Sequence, residues 1–311
     1  MCSAFTVPRV LVLGGINMGL ITKTSRMPRP GETFRGERFY SSSGGKGATQ
    51  AVAAARLGAE VKMVGRVGAD LFGPALIEAL QNDGIDVSDI AVDAEHASGV
   101  GVIVLDESGQ NRVLATYGAN LQCGDEQLAA VEQNLSSADM LVLQMEIPFA
   151  LSIRAARAAR ARGVRVILDP APAAEIPLDV YPDLDIIAPN QTEAEFHTGI
   201  AVNDVATAER AATALLARGV AVAIVKMGEL GVYFSTAEES GFVPPFAVEV
   251  VDTTSAGDAF HGALAVALAE GKSLPEAVEF GAAAGALAVT RPGVQASMPG
   301  RAEVEALRAA G

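Results

Sequence analysis

Tryptophan is missing from this 311-residue chain, and cysteine nearly so, with Cys2 and Cys123 alone. Two cysteines make neither a disulfide framework nor a metal cluster, which suits a reducing compartment. Three histidines without ligand spacing argue against a zinc site. Basic charge is also short: 23 Lys and Arg against 37 Asp and Glu, a formal net charge of −14. Such a field repels a phosphate backbone, so nucleic acid is not an expected partner. No apolar run reaches spanning length, so no membrane partner is expected either. The first apolar run, Val10–Leu13, is too short for a secretion signal, and the chain reads as cytoplasmic. Half the residues are hydrophobic, enough for one large core.

What is present is a regular alternation. Arg9–Leu13 reads as a buried strand ending at Gly14-Gly15. From Gly124 onward helices and strands alternate: helix Asp125–Asn134, strand Met140–Gln144, helix Phe149–Arg162, strand Val164–Asp169. Strand Asp185–Ala188, helix Thr192–Thr198, helix Val205–Arg218 and strand Ala221–Lys226 continue the pattern. This predicts an α/β fold with a Rossmann-like parallel sheet covered by helices on both faces. Ligands in such sheets sit beyond the carboxyl ends of the strands. Glu146, Asp169, Asn190 with Glu193, and Lys226 all fall there. A second pattern interrupts the first. Ile16–Leu20 and Thr33–Ser43 read as an antiparallel pair, and Gly99–Leu105 with Arg112–Tyr117 as a hairpin across the turn Asp106–Gly109. Together they predict a small sheet projecting from one body.

Two Gly-rich turns carry the chemistry. Ser43–Gln50 (SGGKGATQ) opens a strong helix that stops at Gly58. It lacks the Gly-x-x-x-x-Gly-Lys-Ser/Thr spacing of a phosphate loop, and reads either as a plain helix start or as a turn touching a small polar ligand. The second turn follows a β-prone run, Phe246–Val251, and enters an Ala-rich helix: Asp252-Thr253-Thr254-Ser255-Ala256-Gly257-Asp258. Small residues bring backbone N–H groups close to a ligand, and the helix dipole makes the spot an anion site. Asp258 in the first helical turn is either an N-cap acid or a general base beside a phosphoryl group.

With those residues in view, the chain resembles the ribokinase-like (pfkB-type) carbohydrate kinases over nearly its whole length. SGGKGATQAVAAARLGA is similar to the family's Gly-Gly-Lys-Gly-Ala-Asn-Gln signature, and DTTSAGDAFHGAL fits its C-terminal signature. GGINM, QMEIP, PNQTEAE, VKMGELG, VTRPGVQASMP and DPAPA (Asp169–Ala173, similar to NPAPA) support it. The resemblance implies one ribokinase-like domain over 1–311 with a β-sheet lid near 16–44 and 97–119, and a homodimer through the lids. It implies ATP as phosphoryl donor, Mg²⁺ and K⁺ as cofactors, and a small sugar as acceptor. Asp258 would be the catalytic base, and Ser255, Ala256 and Gly257 the anion hole. Asn17, Gly19, Gly45, Lys46, Thr49 and Glu146, with Asp258, would meet the substrate. Asn190, Lys226, Gly228, Gly231 and Gly257 would meet ATP, and Asn190 with Glu193 would organise Mg²⁺ indirectly. Asp252, Thr254, Ala288, Arg291, Gly293 and Ser297 would hold the monovalent cation.

The chain departs from the family pattern twice. Gly19 stands where these kinases carry an Asp that grips two sugar hydroxyls, and Thr49 where they carry Asn. Loss of a charged acceptor counts against D-ribose. A larger, differently hydroxylated or anionic substrate would suit the vacated space, with Lys46, Arg35 or Arg38 for a negative group. The alternatives are a nucleoside kinase of the same fold and a catalytically silent sugar or nucleotide sensor. His261 is expected to pack or cap, His197 to sit partly protonated at a helix end, and Cys123 to be a small structural residue.

Overall fold

The computed structural model describes residues 7–107 and 111–310; Cys2 and the tip Ser108-Gly109 lie outside it. The strands are β1 (Arg9–Leu13), β2 (Asn17–Thr24), β3 (Arg38–Gly44), β4 (Glu60–Gly68), β5 (Asp86–Asp93), β6 (Gly99–Asp106) and β7 (Asn111–Thr116). They continue with β8 (Met140–Leu143), β9 (Arg165–Leu168), β10 (Ile186–Ile187), β11 (Val222–Lys226), β12 (Val232–Ser235) and β13 (Ser240–Val243). The helices are α1 (Lys46–Arg56), α2 (Phe72–Asn82), α3 (Asp125–Asn134), α4 (Phe149–Ala161) and α5 (Gln191–Thr198). After them come α6 (Val205–Leu216), α7 (Ala256–Ala269), α8 (Leu274–Ala288) and α9 (Arg301–Ala310).

Among the described residues the strands form two sheets. The larger runs β13-β12-β11-β10-β9-β8-β1-β4-β5 and the smaller β3-β2-β6-β7. From β11 to β5 the large sheet is parallel. Strand β8 is apolar throughout, and β9 is apolar after the exposed Arg165, because both faces are covered. Alternation along β1 divides the core: Val10 and Val12 pack with α1, α7 and α8, while Leu11 and Leu13 pack with α3 and α4. The parallel α/β body, its flanking helices and the separate small sheet match the fold expected from the sequence. No described helix is long and apolar enough to cross a membrane.

Three local differences have physical reasons. Strand β5 pairs at the edge, where Asp86, Asp89 and Asp93 obscure its apolar content. The β12–β13 hairpin adds two antiparallel strands at the opposite edge. The run Phe246–Val251 is not a strand: Pro244 and Pro245 precede it, and Val250 and Val251 stay exposed. Its start is held by Phe246, half-buried against the core, and its end by the N–H groups of Val251 and Asp252, which donate to the Val289 carbonyl.

In the small sheet β2 runs antiparallel to β3 and parallel to β6. The register puts Gly19 opposite Ser42 on one side and Gly101 on the other. Period-two alternation then places Asn17, Gly19, Ile21, Ser42 and Ile103 on one face. Phe39, Val102 and Leu114 lie on the other, largely exposed.

Candidate active site

The site begins where β1 ends. Gly45 (φ 89°) lets the start of α1 lie against the Gly15–Asn17 backbone; a Cβ there would sit 2.6 Å from Gly15 O and Asn17 N. That approach places the Lys46 N–H 2.8 Å from Glu146 Oε2, which also accepts from Asn17 Nδ2 at 3.1 Å. Asn17 is oriented in turn by Asn120, fully buried, which donates to Asn17 Oδ1 at 2.8 Å and accepts from the Ile16 N–H at 2.9 Å. Burial pushes the Glu146 carboxyl up to about 7, against the opposing pull of the Lys46 charge and backbone N–H.

The second half of the site is built by α1 and α7. Gly262 permits their contact, since a Cβ there would meet Ala53 Cβ at 2.6 Å and Gln50 O at 2.7 Å. Gln50 Nε2 thereby reaches both Asp169 Oδ2 (2.9 Å) and Asp258 Oδ1 (3.0 Å), while its Oε1 accepts from Gln144 Nε2 at 2.8 Å. Lys46 Nζ stands 3.6 Å from Asp169 and 3.9 Å from Asp258. Lys226 Nζ stands 3.7 Å from the other Asp169 oxygen. Burial, then the Asp169 charge, pushes the Asp258 carboxyl up, with Lys46 opposing. Burial also acts against charge on Asp169, but the positive groups around it, Lys46 and Lys226 the permanent ones, hold its carboxyl well below the usual range. Burial would lower Lys46, yet Asp169, Asp258, Glu146 and Glu193 together keep it raised. The acids Glu146, Asp169, Glu193 and Asp258 therefore outnumber the two lysines.

Ser255, with φ 64°, occupies the left-handed region at the N-cap of α7, so the chain turns sharply into the helix whose first turn carries Ala256, Gly257 and Asp258. Lys226 ends β11 and bridges to Asn190 as in a parallel pair. Asn190 and Glu193 cap α5 reciprocally: Glu193 N donates to Asn190 Oδ1 (2.9 Å), and Asn190 N to Glu193 Oε2 (2.8 Å). Burial raises the Glu193 carboxyl, and Lys226 and Lys46 oppose it, so this cap belongs to the same electrostatic cluster. Gly228 and Gly231, both at positive φ, shape the turn after Lys226, where Met227 N donates to Gly231 O at 2.8 Å.

A cavity of about 530 Å³ lies between the small sheet and the loop entering α7, with Asp252, Thr254 and Gly293 on its wall beside Ile21, Ser42 and Ile103. Asp252 Oδ1 accepts from the Thr254 N–H at 2.9 Å. Ala288 ends α8, and Ser297 is buried with its hydroxyl on Val294 O. The Arg291 guanidinium turns to Glu303 at 2.7 Å.

Several placements differ from expectation. Gly19 is buried, and the space beside it is not vacant: a Cβ would meet Ser42 O at 3.2 Å and Ile21 Cδ1 at 3.3 Å. Thr49 is fully buried, with no hydrogen-bond partner for Oγ1 among the described residues. Lys46 is occupied by two acids and so is poorly disposed toward an anionic substrate. His197 is not partly protonated; burial, reinforced by the Arg218 charge, pushes it down to about 4. Cys123, by contrast, is a small buried residue as expected, and burial raises its thiol to about 12.

A pfkB family carbohydrate kinase profile matches residues 7–301. The chain belongs to that family. The pfkB-family chain is 38% identical to ribokinase of Haemophilus influenzae over 292 residues, covering 94% of this chain and 95% of that protein. It is 34% identical to deoxyribokinase of Salmonella typhi over 291 residues, 93% and 95% of the two chains. The structure of Arabidopsis thaliana ribokinase complexed with ribose and ATP matches with a TM-score of 0.89 at 34% identity, covering 97% of this chain and 99% of that one. This pfkB-family member is accordingly a carbohydrate kinase, a phosphotransferase with an alcohol group as acceptor. Gln50 and Asn120 are the polar residues of its cleft that sequence reasoning misses. Gln50 sits in the SGGKGATQ turn beside Lys46 and Thr49, and a Gln inside an Ala-rich helix face is the available signal.

Proposed function

We propose that the chain transfers the γ-phosphoryl group of ATP to the primary hydroxyl of a small neutral sugar, with Asp258 as general base. The observation that carries this reading is the position of Asp258 in the first turn of α7, one residue from the anion turn, with Gln50 at 3.0 Å and Lys46 at 3.9 Å. Burial raises its carboxyl, which suits a base that must accept a proton during attack. Backbone N–H groups from Ser255 to Gly257 would receive the charge on the phosphoryl oxygens. Asn17, Lys46 and Glu146 would orient the acceptor, with Gly45 allowing its close approach and Gly19 and Thr49 nearby. Lys226, Gly228, Gly231 and Asn190 would frame the nucleotide. Lys46 is already paired with Asp169 and Asp258, which favours a neutral polyol over an anionic acceptor at this end of the site.

Among the described residues no three His, Cys, Asp or Glu side chains gather to hold a metal. Asn190 and Glu193 would hold magnesium indirectly, and the ion would supply charge neutralisation on the phosphates. The loop oxygens of Asp252, Thr254, Ala288, Arg291, Gly293 and Ser297 would hold a potassium ion, which would brace the anion turn. The small sheet would act as the lid over the acceptor. Its outer residues Phe39, Val102 and Leu114, 65%, 44% and 75% exposed, would form a homodimer surface.

The test is ADP release with a panel of ribose, 2-deoxyribose, fructose, hexonates and nucleosides, with and without potassium. Sugar-dependent release is expected. Release with nucleosides alone replaces the acceptor class, and no release with any compound overturns the catalytic reading.

A further inference from the structure

Two buried polar atoms face each other behind the anion turn. Asp169 Oδ1 and His261 Nε2 are 3.6 Å apart, and neither has a hydrogen-bond partner among the described residues. The histidine tautomer follows from its other nitrogen. His261 Nδ1 lies 2.7 Å from the Gly257 carbonyl, which can only accept, so Nδ1 carries the proton and Nε2 a bare lone pair. Two acceptors thus confront each other, and the cation on that side is Lys226.

Lys226 is not satisfied there. Its Nζ is 3.7 Å from Asp169 Oδ1, an ion contact too long for a hydrogen bond. It is 3.5 Å from His261 Nδ1, whose proton already points at Gly257 O. Three ammonium N–H donors therefore have no acceptor at hydrogen-bond distance among the described residues. The other side of Asp169 is different: Oδ2 takes a 2.9 Å bond from Gln50, which also holds Asp258. The acceptor side of the carboxylate is stitched, and the phosphate side is loose. The loose ammonium also lies at the right place, since a Cβ on Gly257 would be 3.4 Å from Lys226 Nζ. Gly257 belongs to the anion turn.

We propose that Lys226 is the cation that meets the phosphoryl group in transit, and that Asp169 holds it at the turn in an ion contact that the phosphoryl oxygens displace. This rests on the kinase reading above. As the bond from γ-phosphorus to the ADP oxygen breaks and the bond to the acceptor oxygen forms, the acceptor proton passes to Asp258. Lys226 keeps its three protons and exchanges its ion contact with Asp169 for phosphoryl oxygens, an exchange that breaks no hydrogen bond.

The experiment is calorimetric titration of the full chain with AMP, ADP and the non-hydrolysable analogue AMP-PCP, with magnesium present. Lys226→Met is expected to bind AMP and ADP within about twofold of wild type. It should bind AMP-PCP about tenfold more weakly, the effect of removing one charge-assisted hydrogen bond. Lys226→Arg should restore most of the AMP-PCP preference. Asp169→Asn should bind AMP-PCP several-fold more tightly, because it removes a competing negative charge, and adding Lys226→Met should abolish that gain. Equal weakening of all three nucleotides in Lys226→Met, in a variant with wild-type melting, would show a structural role and overturn the assignment. So would an unchanged AMP-PCP affinity. If Lys226→Met does not fold, an Asp169→Asn variant with unaltered AMP-PCP affinity overturns the proposal equally. Wild-type protein that binds none of the three nucleotides sinks the kinase reading itself, a separate and visible failure.

Discussion

Gln50 donates to Asp258: its Nε2 lies 3.0 Å from Asp258 Oδ1, and the same nitrogen reaches Asp169 Oδ2 at 2.9 Å. A hydrogen bond to a carboxylate favours its ionised form, so this contact holds the Asp258 pKa below where burial alone would put it. Gln50→Met keeps the length of the side chain and removes the donor. The acidic limb of the kcat/KM profile should then move to higher pH. A lowered plateau with an unmoved limb would mean that a group other than Asp258 titrates.

Asp258→Asn removes the proposed base while keeping the shape of the first turn of α7. Turnover should fall by about 10²–10⁴-fold, the usual contribution of a positioned base. Lys46 retains Asp169 at 3.6 Å, so its ammonium stays paired and the melting temperature should stay within a few degrees of wild type. Near-wild-type kcat in this variant would remove Asp258 from the mechanism.

Glu146 gives a pH dependence of stability whose sign can be worked out. Its carboxyl is raised to about 7 in the fold, chiefly by burial, from an ordinary 4.5. Between those values the folded chain holds a proton that the unfolded chain releases. The contribution is therefore complete below about 4.5 and is lost as pH rises through about 7. Glu146→Gln mimics the protonated form and should not show that loss. The variant's advantage in Tm over wild type should grow between pH 5 and pH 8, reaching about 3 kcal/mol, or several degrees. A constant difference across that range would show that Glu146 is not the titrating group.

The legible parts of this chain are those where neighbouring residues decide the outcome. The apolar strands β1, β8 and β11 and the Ala-rich α7 and α8 announce themselves within their own windows, and four strand ends place Glu146, Asp169, Asn190 and Lys226 on one rim. The remainder depends on contacts far apart in sequence. Asn120 orients Asn17 across 103 positions, and Gln50 meets Asp258 across 208. Burial is equally nonlocal: His197 ends a helix, as its position implies, yet the ring is enclosed and neutral. The space beside Gly19 cannot be judged from the missing side chain, because Ile21 on the same strand fills it.

Ser255 is the one described non-glycine residue with positive φ, at 64°. A Cβ in that region costs roughly 1–2 kcal/mol, part of which glycine returns through its freer unfolded chain. Ser255→Gly should raise stability by up to about 1 kcal/mol, read from thermal melts. It should also lower kcat several-fold, because the turn's N–H groups would be less rigidly aimed. A stabilised variant with full activity would show that the strained turn has no part in aiming those groups.

Gly19→Asp tests whether the small sheet reads the sugar. The built Cβ lies 3.3 Å from Ile21 Cδ1, the far end of a side chain that can rotate away, and 3.2 Å from Ser42 O, which is less able to yield. A modest loss of stability is therefore expected. The new carboxylate would share a face with Asn17 and could accept from acceptor hydroxyls. Charge-assisted bonds of this kind should lower the KM for ribose about tenfold or more relative to 2-deoxyribose, which offers fewer hydroxyls. Steady-state kinetics on the two sugars measures the ratio directly. If KM for both changes by the same factor, residue 19 acts on the lid's packing and not on the acceptor, and the natural glycine has no bearing on which sugar this enzyme takes.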